Sequence, residues 1–128
     1  MSERAEQAVQ NKKNGMNCAQ AVACAFADKV DVDEETLLAL TQTFGVGIGA
    51  TMEGTCGAIV GANIILGLAG KDAGRPENMK KAGSLLREFQ AQNQAVTCRE
   101  LKGIGTGVVL RECNDCVRDA AEMLERYL

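Results

Sequence analysis

The sequence predicts an all-α fold: a compact bundle of about six helices in a single domain spanning residues 1–128. Three observations predict it. Apolar residues recur at the helical period through most segments, several segments open on a capping signal, and the only proline, Pro76, stands where a helix can begin. At 128 residues the chain is long enough to bury a core without covalent staples.

Each element has its own local reason. Ser2 to Lys13 forms a short polar helix with a thin apolar stripe at Ala5, Ala8 and Val9, and Asn14-Gly15 breaks it. Asn17 caps a second helix, with Gln20 in capping-box position and Cys18, Ala21, Val22, Ala25 and Phe26 on the helical period. Cys24 lies six residues beyond Cys18, about 120° around that helix, pointing into core and away from any site Cys18 serves. Asp33 caps a third helix, with Glu34 and Glu35 in its first turn and Val32 and Leu37 at hydrophobic-staple spacing. Leu37, Leu38, Thr41 and Phe44 supply its inner face, and Gly45 closes it. A glycine-rich loop (Gly45, Gly47, Gly49, Gly54) leads to the cap-type Thr55 and an apolar helix with Cys56 as its first residue, ended by Gly70. Pro76 opens the next helix, where Met79, Ala82, Leu86 and Phe89 form a core stripe and which fades through Gln90 to Ala95. Thr97 to Glu100 is a full capping box for a short helix stopped by Gly103. From Ile104 to Arg111 the pattern is undecided: Val108-Val109-Leu110 favours an extended form, but no partner strand is evident. The last helix follows Cys113-Asn114-Asp115-Cys116, with Val117, Ala120, Ala121, Leu124 and Leu128 inward.

Composition removes several function classes. With 14 basic and 17 acidic residues the net charge is −3, which offers no basic face for nucleic acid and no polybasic membrane signal. No apolar run is long enough to span a bilayer, and the N-terminal residues lack the apolar core of a secretory signal, so the reading is a soluble, cytoplasmic protein. There is no histidine, hence no Cys-His or Ser-His relay and no His-ligated zinc. Against that stand six cysteines, which in a chain without an export signal point to metal or redox chemistry more than to a disulfide framework.

Their placement is the informative part. Cys18, Cys56 and Cys98 each follow a capping-type residue, Asn17, Thr55 and Thr97, and the Cys113/Cys116 pair sits where the final helix begins. A thiol at a helix start meets unpaired N–H groups and the positive end of the dipole, both of which favour the thiolate. Small residues at Gly57, Ala58 and Gly61 leave one face of the Cys56 helix open to close approach by backbone or a prosthetic group. The G-x-G-x-G stretch lacks the strand and lysine of a phosphate loop, the single C-x-x-C lacks a thioredoxin context, and a zinc ribbon brings two C-x-x-C knuckles. Long, irregular ligand spacings are compatible with an iron–sulfur cluster.

NCAQAV from Asn17, TCGAIVG from Thr55, TCREL from Thr97 and ECNDCVRDAAEML at the C-terminus resemble the C_GCAxxG_C_C family, whose signature is matched by Cys56-Gly57-Ala58-Ile59-Val60-Gly61. The resemblance runs from about Asn14 to the end of the chain. It implies a helical, redox-active protein with four site cysteines, here Cys18, Cys56, Cys98 and Cys113, and fixes neither substrate nor cofactor. Two extra cysteines, Cys24 and Cys116, depart from the pattern, and Cys116 could displace Cys113 or pair with it.

The resulting expectation is a four-cysteine site, leaning to a thiolate-bound metal centre, iron–sulfur in kind, that transfers electrons to a redox partner. Cys18, Cys56, Cys98 and Cys113 would be its ligands, with Gly57 and Gly61 giving the cofactor room. The alternatives are a thiol–disulfide oxidoreductase with Cys56 as nucleophile, and a non-catalytic zinc-binding or interaction module. A homodimer is compatible with a bundle this rich in small residues.

Overall fold

Seven α-helices and one 3₁₀ turn (Ala27–Lys29) make up the secondary structure of the computed structural model, which describes residues 2–128. The helices are α1 (Glu3–Lys13), α2 (Cys18–Cys24), α3 (Glu34–Thr41), α4 (Gly57–Ala69), α5 (Arg75–Asn93), α6 (Cys98–Lys102) and α7 (Cys113–Glu125). The all-α reading holds, and among the described residues the only β feature is an isolated antiparallel bridge between Thr55 and Thr97. None of the described helices is long and apolar enough to cross a membrane.

Helix α2 is the centre of the bundle, packed on α1, α3, α4 and α7. It can be central because Ala19, Ala21, Val22 and Ala23 are all buried, and their small side chains let neighbouring backbones come close on every side. Helix α1 starts where the Ser2 hydroxyl accepts the Ala5 N–H at 2.9 Å and buries Ala5, Ala8 and Val9, the stripe read from sequence. Asp33 caps α3 through the Thr36 N–H at 2.8 Å, and Leu37 and Thr41 are its buried face. That face is narrower than expected, since Leu38 and Phe44 are only half-buried.

Two helices bury different faces from those expected. In α5 the buried residues are Leu85, Phe89 and Asn93, whereas Met79 is 65% exposed and Ala82 and Leu86 are half-buried. Two apolar stripes overlap on this helix, and only its C-terminal half is pressed into the core, so the one with i, i+4 spacing goes inward. In α7 the inward set gains Cys116, Met123 and the carboxylate of Asp119, while Leu128 lies beyond the helix and is exposed.

The glycine-rich approach to α4 takes an unusual form. Val46, Gly47, Ile48, Gly49 and Ala50 have successive φ values of 50, 68, 68, 62 and 60°, and Met52 has 62°. This is a left-handed turn, closed by N–H bonds from Gly49 to Thr43 O (2.8 Å), Met52 to Val46 O (3.0 Å) and Gly54 to Gly47 O (2.9 Å). Each non-glycine residue held there costs about 1–2 kcal/mol. Bonds from outside the turn help hold it: the Cys98 N–H reaches Gly54 O at 3.0 Å and the Arg99 N–H reaches Met52 O at 2.9 Å. The undecided stretch from Ile104 to Arg111 is a set of turns, folded back by the Leu110 and Arg111 N–H groups onto Leu101 O.

Candidate functional site

Five of the six cysteines, Cys18, Cys56, Cys98, Cys113 and Cys116, line one cavity of about 20 Å³. Each arrives from a helix start or its first turn. Cys18 is the first residue of α2, behind a complete capping box in which Asn17 Oδ1 accepts the Gln20 N–H at 2.8 Å and Gln20 Oε1 accepts the Asn17 N–H at 3.1 Å. The same two side chains tie α2 to α3, Asn17 donating to Gln42 O at 3.1 Å and Gln20 to Leu38 O at 3.2 Å.

Cys56 is not the first helical residue but the N-cap of α4, with φ −49° and ψ 128°. The reason lies in the Thr55–Thr97 bridge: the Cys56 N–H donates to Val96 O at 2.7 Å, which holds the backbone extended until Gly57. That bridge also joins the starts of α4 and α6, so Cys56 and Cys98 enter the cavity side by side. It comes with a difference from expectation at Thr97, whose side chain makes no capping bond. Cys113 and Cys116 stand one turn apart on α7, and both reach the cavity. Of the two residues between which the sequence left the fourth position open, both stand on the cavity wall.

The sulfurs influence one another in two pairs, Cys18 with Cys113 and Cys56 with Cys116. The Cys113 side chain pulls the Cys18 thiol down to about 6, and Cys18 in turn pushes Cys113 up. The Val46 and Ala19 N–H groups add to the preference for thiolate at Cys18. In the second pair Cys56 is held low, first by Cys116 and then by the Ala58 and Ile59 N–H groups at the start of α4, and Cys116 is pushed up. In each pair one sulfur is favoured as thiolate and the other as thiol. Cys98 behaves differently. Burial raises it despite nearby Lys102, because α6 is one short turn and no thiol partner compensates the lost solvation.

Gly57 lines the cavity, and a Cβ there would overlap Cys18 Sγ and stand 2.6 Å from Phe44 O. Gly61 does not line it, because the backbone of Ala19 on α2 fills the space. The small face of α4 is thus closed by another helix. Cys24 ends α2 away from the other five, half-buried, and desolvation raises it to about 11.

Arg111 was not singled out from sequence. It lines the cavity and makes a two-pronged ion pair with the buried Asp119 carboxylate, at 3.0 and 3.1 Å, while Asn93 of α5 donates to the same carboxylate at 3.2 Å. An acidic residue amid the apolar stripe of α7 was the available signal. Among the described residues no three Cys, Asp or Glu side chains form a ready metal-ligand group.

No curated protein and no solved structure matches the chain. The profile of a family described as "Putative redox-active protein (C_GCAxxG_C_C)" matches residues 16–127, which takes in every helix from α2 to α7 and all six cysteines. With its signature Cys56 and Gly57 lining one thiol cavity and its profile matched over residues 16–127, the chain belongs to the C_GCAxxG_C_C family.

Proposed function

We propose that the protein is a dithiol–disulfide redox protein that cycles two thiol pairs, Cys18/Cys113 and Cys56/Cys116. The observation that supports this is the pairing itself: each thiolate already faces the sulfur with which it would bond. In each cycle two thiols lose two electrons and two protons to an acceptor disulfide, form one S–S bond, and are restored by a dithiol donor. Cys56, the nucleophile of the alternative oxidoreductase reading of the sequence, and Cys18 are the thiolate members. Cys113 and Cys116 share their protons. Such a pair works where thiols are kept reduced between turnovers, which suits the cytoplasm. Stepwise oxidation of the reduced protein, followed by non-reducing peptide mapping, should yield the Cys18–Cys113 and Cys56–Cys116 disulfides. Oxidised protein without either bond would refute the reading.

A second reading, a thiolate-bound metal centre, is favoured by the cavity itself. Thiolates are the donors that zinc and iron accept, and about 20 Å³ is room for one water-sized body. Cys18, Cys56, Cys98 and Cys113 would be the residues to hold a single ion, once their thiols draw closer together than they stand here, whereas an iron–sulfur cluster requires the walls to part. Iron there would supply one-electron transfer, and zinc a structural tie. Iron, sulfide and zinc contents of anaerobically purified protein separate this reading from the first.

A further inference from the structure

Cys113 differs from the other cavity cysteines in facing two ways. Cys18, Cys56, Cys98 and Cys116 are 2–6% exposed, whereas Cys113 is only partly buried. It lines the thiol cavity and also a separate outer groove of about 390 Å³, between the end of α1 and the start of α7. That volume suits a small molecule. The groove carries both signs of charge beside the sulfur, Lys13 and Arg118 with Glu112 and Asp115. Arg118 is already paired with Glu6 and Asp115. Among the described residues neither Lys13 nor Glu112 takes part in an ion pair. One cation and one anion therefore line the groove together with the partly buried Cys113.

We propose that Cys113 is the port of the thiol cluster, where a small zwitterionic disulfide of the amino-acid type docks in the outer groove and exchanges with the protein. Lys13 faces its carboxylate and Glu112 its ammonium group. Cys113 passes its shared proton to Cys18 and, as the thiolate, attacks one sulfur of R–S–S–R, forming a Cys113–S–S–R mixed disulfide and releasing RS⁻, which takes a proton from solvent. Cys18 then gives up the proton it received, attacks Cys113 Sγ from inside, closes the Cys18–Cys113 bond and releases the second RS⁻, which takes that proton. Two protein thiols are oxidised by two electrons and one disulfide is reduced to two thiols. This proposal rests on the dithiol reading above and adds to it the place of entry and the class of substrate.

The test uses cystine as probe, with cystamine and dithiodiglycolate as cationic and anionic comparators. In Cys18→Ser or Cys18→Ala protein the inner attack is lost, so the cysteinyl adduct should accumulate on Cys113, seen by mass spectrometry and peptide mapping. In reduced wild-type protein, which needs no substitution, limiting iodoacetamide should label Cys113 at least about tenfold ahead of the other four cavity cysteines, because access governs the rate. Lys13→Glu should slow cystine roughly threefold and speed cystamine by a similar factor, as expected for an exposed charge. An adduct on Cys18, Cys56, Cys98 or Cys116, or equal rates for the three disulfides, would overturn the port while leaving the dithiol reading in place. Failure of wild-type protein to form a Cys18–Cys113 bond with any oxidant would instead remove the reading beneath it.

Discussion

The two halves of the thiol cavity are built in opposite ways. One half is helix on helix: α4 lies against α2 so closely that Gly57 and Gly61 leave no space for a Cβ, and this contact sets Cys56 beside Cys18. The other half is loop: the left-handed turn supplies Val46, the Thr55–Thr97 bridge positions Cys98, and Arg111 closes the wall from the end of a run of turns. The helical half gives two low-titrating thiols, and the loop half gives Cys98, which is raised. The difference teaches that a helix start favours a thiolate only when a thiol partner and properly aimed N–H groups come with it. Position at a helix start alone does not outweigh burial.

The strongest way to break the contrast is to attack the packed half. Gly61→Leu should cost about 3 kcal/mol or more, at the upper end of overpacking, because the obstacle is the Ala19 backbone, which cannot swing aside. Urea denaturation measures it, and a loss under about 1 kcal/mol would mean that the helices part easily. The loop half is held by fewer ties. Asp119→Ala should cost about 2 kcal/mol, below the usual penalty for breaking a buried pair, since Arg111 is 36% exposed and regains water.

A pH series on reduced protein sharpens the contrast further. Cys18, at about 6, and Cys56 lie below the ordinary thiol value of about 8.5, so their contribution is full above that value and is lost as pH falls towards about 6. Cys98, Cys113, Cys116 and Cys24 are raised. Their contribution is full below about 8.5 and is lost as the solution becomes more alkaline. Stability of the reduced form should therefore peak between neutral and mildly alkaline pH, and a monotonic fall from pH 6 upward would contradict the paired-thiolate picture.

Smaller effects come from positions on the same helices that face away. Gly67 of α4 has open space around its Cα, so Gly67→Ala should raise stability by about 0.5–1 kcal/mol, opposite in sign to Gly61→Leu six residues earlier. Cys24→Ala should change stability by no more than about 1 kcal/mol and leave the disulfide map unaltered. A changed map would mean that α2 is mobile enough to bring its far end to the cavity.

Local chemistry made much of this legible in the sequence. The Asn17–Gln20 capping box and the Asp33 cap stand where their residue types put them, and four cysteines at helix starts do meet. What could not be read depends on partners distant in the chain. The burial of Leu85 instead of Leu86 follows from how α5 lies on α4 and α7, and Gly61 is filled by a helix that precedes it by some forty positions. Cys116 reaches the cavity because α7 turns both of its first-turn cysteines inward, and its effect on Cys56 links two segments far apart in sequence. The left-handed turn is hidden for another reason: alternating glycines permit it without requiring it.

That turn bears on the handedness of the chain itself. From Val46 to Ala50 the backbone follows a path that mirror-image amino acids would take unprompted. Glycine is achiral and indifferent to the choice, so the conflict falls on Val46, Ile48, Ala50 and Met52 alone. A D-residue at any of these four would sit in its own preferred basin, while every L-residue there must be held against its chirality by its neighbours. The thiolate of Cys18 takes one of its N–H bonds from Val46, the first residue so constrained. The charge at the centre of the site is thus steadied in part by a few residues of backbone wound in the opposite sense to the helices around them.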